Sequence, residues 1–162
     1  RKLSDQMADM LYTADAVASA QVVRDGLPKG RVSMVGSVLA DALQLALQES
    51  AGERLPQALE SVVARFGRDR PGYAVALIDM PRHLQDRRLL TDITTLLADL
   101  SRDLPILWTM PATTREQLLA LGLGPLVDGA RIVVLPMQDY VAFANLVAEA
   151  TCVITDAWTL QE

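Results

Sequence analysis

Apolar residues in this chain follow two alternating patterns: short unbroken runs, and longer stretches in which they recur every three or four positions. Unbroken runs bounded by turn residues mark strands covered on both faces, and the recurring pattern marks the helices that cover them. The last thirty-one residues show both. Ile132–Leu135 is a run, Phe143, Leu146, Val147 and Ala150 fall at helical spacing, and Cys152–Thr155 is a second run that stops at Asp156. This predicts a strand, a helix and a strand, with a further helix opening at the end.

The same alternation extends upstream. Arg1–Met7 reads as the tail of a helix and Met10–Thr13 as a short strand. Asp15 then caps a helix that runs to Arg24 and stops at Gly26, and Leu27–Gly30 is a turn. Val32–Val35 predicts a short buried strand closed by Gly36, followed by a helix over Val38–Gln48 with Leu39, Leu43, Ala46 and Leu47 on one face. Leu55, Leu59, Val62, Val63 and Phe66 predict another amphipathic helix. Tyr73–Ile78 is a buried parallel strand, Asp79–Gln85 a loop, and Leu89, Ile93, Leu96, Leu97 and Leu100 make the clearest helix. Ile106–Thr109 is the next strand. Thr113 and Glu116 have the spacing of a capping box for a helix to Leu121, and the glycines from 122 to 129 form a turn back to Ile132.

Strands separated by helices of ten to fifteen residues require crossover connections and a parallel sheet. The expected class is α/β, a Rossmann-like parallel sheet with helices on both faces and at least four strands from Val32 onward. In such sheets ligands sit beyond the carboxyl ends of the strands, which directs attention to Asp156–Thr159.

Composition narrows the function. At 162 residues and 51% hydrophobic the chain can bury one substantial core. A net charge of -5 and 4% aromatic residues provide neither a basic face nor a stacking platform, so nucleic acid is not an expected partner. No apolar stretch reaches membrane-spanning length and no leader precedes the first helix, so a cytoplasmic protein is expected. The single cysteine, Cys152, lies inside an apolar run and reads as a small core residue. One histidine and no acidic cluster predict no metal site, and no cofactor is expected. The chain opens on Arg1 in what reads as a helix and closes as another begins, as expected for a piece of a longer protein.

Several stretches resemble the UDP-N-acetylglucosamine 2-epimerase family. Tyr140, Phe143, Leu146, Asp156, Gln161 and Glu162 match its P-L-x-Y-x-x-F-x-x-L and D-S-G-G-x-Q-E-E patterns, with Ala157, Trp158 and Thr159 in place of S-G-G. R-K-L-S-D-Q-M-A-D-M-L-Y at the start is similar to R-x-L-x-D-x-x-x-D-L-L-F. R-V-S-M-V-G-S-V-L-A-D-A-L from Arg31 is similar to R-I-x-V-V-G-N-x-x-I-D-A-L. The resemblance implies a GT-B-like fold of two Rossmann-like halves. Residues 1–26 would end the first half, 27–31 would be a linker and 32–162 would form most of the second. It implies inversion at C2 of the sugar of a UDP-sugar, with the acids that move the proton lying upstream of Arg1, so no catalytic residue is expected in this chain.

What the resemblance assigns to the second half is nucleotide binding, and there the residues depart from the pattern. Leu77–His83 stands where the family has T-L-H-R-x-E-N, which puts Asp79 and Met80 in place of histidine and arginine. Pro111–Arg115 stands where the family has H-P-R-T-R, keeping Thr114 and Arg115. Trp158 replaces a glycine whose bare backbone lets N–H groups approach a phosphate. The vestigial ligand-binding residues are then Asp79, Arg82, His83, Thr114, Arg115, Asp156, Trp158 and Glu162. Five of them also have a plainer reading: Asp156 as a helix cap, His83 as solvent-facing, Thr114 and Arg115 as a helix start, and Trp158 as pocket filler. The pattern predicts an epimerase-like domain inactive as given, with UDP or UDP-sugar binding weak or lost. A second copy or a catalytic relative would be its partner. The alternatives are the nucleotide-binding half of an active isomerase, and a changed ligand among Asp79, Arg82, His83 and Trp158.

Overall fold

A computed structural model describes residues 2–49, 72–157 and 160. The chain divides into two units, Arg1–Leu45 and Ala46–Glu162. In the first, α1 (Lys2–Met7) precedes β1 (Leu11–Thr13) and α2 (Ala16–Arg24), and a single 3-10 turn at Lys29–Arg31 leads into β2 (Val32–Met34). The Asp15 carboxylate accepts the Ala18 N–H at 2.7 Å and so caps α2, as the sequence predicts. Gly26, at φ +101°, turns the chain out of that helix. β1 and β2 pair in parallel, Leu11 against Val32 and Thr13 against Met34. The described partner of Val32–Met34, the strand expected to open the second half, thus belongs to the first unit. It is half exposed where a buried strand was expected. The chain passes between the units within α3 (Val38–Glu49), on which Ala46 is buried while Leu39 and Leu43 are exposed.

The second unit is built on a four-stranded, all-parallel sheet. Its strands are β3 (Ala74–Leu77), β4 (Ile106–Thr109), β5 (Ile132–Leu135) and β6 (Cys152–Thr155), in the order β5-β4-β3-β6. Side chains alternate between its faces, and two separate cores result. Ala74, Ala76, Ile106, Trp108 and Ile132 pack on one face with Leu90, Leu97, Leu118 and Val127. Those four come from α5 (Arg87–Leu100), α6 (Ala112–Ala120) and α7 (Gly124–Gly129). Tyr73, Val75, Leu107 and Leu135 pack on the other face with Leu146 of α8 (Tyr140–Ala148), where Phe143, Val147 and Ala150 join them as expected. The central strands β3 and β4 are apolar except for the hydrogen-bonded Thr109, because both of their faces are covered. The class expected from the sequence, a parallel α/β sheet with helices around it, is the one observed.

Several local expectations are corrected. Residues 79–85 are not all loop, since α4 (Pro81–Gln85) begins at a proline whose fixed φ suits a first helical position. The capping box does not form: α6 starts at Ala112 directly after Pro111, ahead of Thr113, and has no side-chain cap. The turn after Gly122 contains α7. The helix expected from Leu89, Ile93, Leu96, Leu97 and Leu100 forms as α5, and its buried residues are Leu90, Thr94, Leu97 and Ala98, while Leu89, Leu96 and Leu100 are exposed. Thr94 tolerates burial because its hydroxyl donates to the Leu90 carbonyl at 2.7 Å. Cys152 is exposed at the first position of β6. The helix expected around Leu55–Phe66 lies outside the described residues.

Gly72 leads into β3 at φ +68°, and a Cβ there meets Thr151 Oγ1 ahead of β6. The Gly72→Ala variant should therefore lose about 1–3 kcal/mol of stability from the left-handed backbone and the displaced hydroxyl. Adding Thr151→Ala should recover the steric part. Denaturant unfolding of both variants checks this, and an unchanged midpoint for the single variant refutes it.

Candidate functional site

The sheet order reverses between β3 and β6. β4 and β5 build outward on one side of β3, and β6 returns to its other side. The crevice beyond the carboxyl ends of β3 and β6 is thus the topological switch point, where doubly wound sheets take their ligands.

One carboxylate joins the two loops there. Asp156, directly after β6, accepts the backbone N–H of Asp79 at 2.7 Å and that of Met80 at 3.2 Å. Its Oδ2 also lies 2.6 Å from His83 Nδ1, on α4. The Arg82 Nε–H donates to the other ring nitrogen of His83 at 3.2 Å. The Asp156 side chain is 13% exposed and that of His83 is 24% exposed, so this clasp is largely shielded from water. Burial pushes the Asp156 carboxyl upward. The Asp79 N–H, the His83 ring and the Met80 N–H together outweigh that burial and hold the carboxyl below its ordinary value. Behind it, Thr155 Oγ1 accepts the Ala157 N–H at 2.9 Å and shapes the turn out of β6.

The expected site residues are only partly brought together. Asp156, His83 and Arg82 meet, and Asp79 contributes its backbone N–H while its side chain is exposed. His83 is thus not the solvent-facing side chain that a lone polar-loop histidine suggests. Thr114 is buried within α6 and Arg115 beside it is exposed, and neither takes part in the contacts that hold the clasp. Trp158 and Glu162 lie outside the described residues, as do the residues that Asp156 would cap. The described bonds of Asp156 run instead to the loop after β3. What reading along the chain missed is the pairing itself, because His83 and Asp156 are 73 positions apart. The signal was present in the strand order, since a first and a fourth strand that are neighbours bring their following loops together. Among the described residues no three His, Cys, Asp or Glu side chains gather as metal ligands, and no helix is long and apolar enough to cross a membrane.

These features define a doubly wound α/β unit with its candidate site at the switch point. The family model for UDP-N-acetylglucosamine 2-epimerase matches residues 1–162, and the chain belongs to that family. Comparison with curated protein sequences gives no match. Among solved structures, the UDP-GlcNAc 2-epimerase of Methanocaldococcus jannaschii superposes with a TM-score of 0.79 at 18% identity, over 99% of this chain and 45% of its own. The same organism's enzyme in complex with UDP-GlcNAc and UDP gives 0.75 at 19% identity, over 99% of this chain and 44% of its own. An S. aureus protein in a co-structure with UDP gives 0.77 at 17% identity, over 100% of this chain and 41% of its own. The shared fold is that of GT-B-like epimerases, and this chain spans less than half the length of each.

Because the folded Asp156 carboxyl lies below its ordinary value of 3.8, the stability it contributes is present above that pH and is lost as pH falls through the folded value. The Asp156→Asn variant should be less stable than the parent at pH 7, by about 1–2 kcal/mol for weakened charge-assisted hydrogen bonds. The gap should close as pH falls through the folded carboxyl's lowered value. Thermal unfolding at neutral pH and through the acid range checks this, and a gap that persists in acid contradicts it.

Proposed function

We propose that this chain is an epimerase-like domain whose own nucleotide site has degenerated, and that it serves as a scaffold or interaction module in the cytoplasm. The observation that carries this reading is the clasp. The backbone N–H groups of Asp79 and Met80, at the carboxyl end of β3, are taken by the Asp156 carboxylate. The side chains there are a carboxylate and a thioether, where the family has a histidine and an arginine. A diphosphate arriving at this rim therefore finds its backbone donors engaged, no imidazole or guanidinium from positions 79 and 80, and the added negative charge of Asp79. Thr114, which matches the family pattern in the next loop, is buried in the α6 packing, which supports a structural role for it. The partner on this reading is a second copy or a catalytic relative.

The second reading is that the chain is the nucleotide-binding half of an active UDP-sugar 2-epimerase. It is favoured by the family match over all 162 residues and by relatives whose structures hold UDP. Arg82 is then the residue to bind phosphate, since it is exposed at the rim and spends one donor on His83.

Calorimetric titration of UDP and UDP-N-acetylglucosamine into the chain at neutral pH separates the two. Dissociation constants weaker than about 1 mM are expected. Restoring the family residues with Asp79→His and Met80→Arg together should tighten UDP binding by at least about tenfold, the effect of one charge-assisted hydrogen bond. Micromolar binding by the parent chain, lost in Arg82→Gln, would establish the second reading.

A further inference from the structure

The hydrogen bonds around His83 define its protonation state. A guanidinium has only donors, so His83 Nε2, which faces the Arg82 Nε–H at 3.2 Å, must be the bare acceptor nitrogen of the ring. The ring hydrogen is then on Nδ1 and goes to Asp156 Oδ2, 2.6 Å away. A ring that accepts on one side and donates on the other is a neutral imidazole, held in one tautomer by its two neighbours.

A proton added to this ring acts on the two contacts in opposite senses. On Nε2 it removes the acceptor that holds Arg82 and sets a cation beside the guanidinium. It leaves the Nδ1–H in place and converts the bond to Asp156 into an ion pair. The charged groups bonded to the ring are Asp156 from the loop after β6 and Arg82 from α4, and Asp79 from the loop after β3 contributes only its backbone N–H to the same carboxylate. The Asp156 carboxyl titrates below its ordinary value, so it stays charged through the range in which histidines ordinarily titrate.

We infer that His83 is a pH-responsive switch at the rim of the crevice: neutral, it ties Arg82 into the clasp, and protonated, it releases Arg82 while keeping Asp156. Lower pH thus leaves the two loops joined and frees a guanidinium beside a charged imidazole. The inference rests on the clasp geometry and not on the loss of nucleotide binding, so the UDP titration and this switch fail independently.

Nitrogen-15 NMR of the full chain between roughly pH 5 and 8 tests it. At the upper end the His83 ring should show a protonated Nδ1 and a bare Nε2, with a protected Arg82 Nε–H signal. Toward the lower end that Arg82 signal should be lost with the midpoint of the ring titration, while the Asp79 and Met80 amide signals persist. His83→Gln should abolish the pH dependence of the Arg82 signal. Asp156→Asn should weaken the tautomer preference, a change that a merely structural role for Asp156 does not predict. A neutral ring protonated on Nε2, or an Arg82 signal that ignores the ring titration, overturns the switch.

Discussion

The site is arranged around one carboxylate that serves several donors at once. Where a parallel sheet reverses its strand order, the loops leaving β3 and β6 run from neighbouring strands with no sheet hydrogen bonds left to join them. Asp156 supplies that join. An ionised carboxylate offers lone pairs to several donors, and here it serves two backbone N–H groups and an imidazole. Because its side chain is only 13% exposed, water replaces a missing donor poorly, and each of the three holds the others in place. His83 is held directly by this anchor and Arg82 through His83, while Leu84 of α4 packs against the core.

The scaffold beneath depends on quite different constraints. Leu146 is fully buried, and its carbonyl accepts the Tyr73 hydroxyl at 2.8 Å, which ties α8 to the residue that enters β3. Burial pushes that phenol well above its ordinary value, so it remains a donor. Trp108 and Thr109 of β4 are likewise sealed, Thr109 by its hydrogen bond to the Ala76 carbonyl at 3.2 Å. Volume and hydrogen-bond satisfaction restrict such positions whatever the protein does, whereas the side chains of Asp79 and Arg82 are exposed and under no such packing constraint. A superposition of 0.79 at 18% identity is what that division of constraints produces.

The same division decides what was legible in the chain. β3 was readable as an unbroken apolar run because both of its faces are covered, and α8 because Phe143, Leu146 and Val147 recur at helical spacing and pack on the sheet. On α5 leucines occupy two neighbouring stripes, and periodicity cannot choose between them. The buried stripe includes Thr94, a polar residue satisfied by its own helix, so hydrophobicity alone does not identify it. The capping-box spacing at Thr113 was overridden by Pro111, which lets the helix begin before the threonine. Cys152 looked like core because it sits in a run, but β6 has a described neighbour on one side alone. Each site residue could be nominated from its loop, yet the clasp required strand order, which no local pattern contains.

Magnitudes decide which feature of the rim matters most to an anion. The exposed Asp79 carboxylate repels a phosphate through solvent, which at a separation of about 4 Å costs about 1 kcal/mol and less with salt. Each charge-assisted hydrogen bond that a histidine or arginine would have donated at positions 79 and 80 is worth about 1.5–3 kcal/mol. The missing donors therefore outweigh the added charge. The engaged backbone N–H groups add to the deficit, because a phosphate can use them only by displacing a carboxylate that has no other described partner but His83. On the proposed reading, the rim is weak for anions chiefly because positions 79 and 80 donate no side-chain hydrogen bond, and Arg82, bonded to His83, is the described cation beside them.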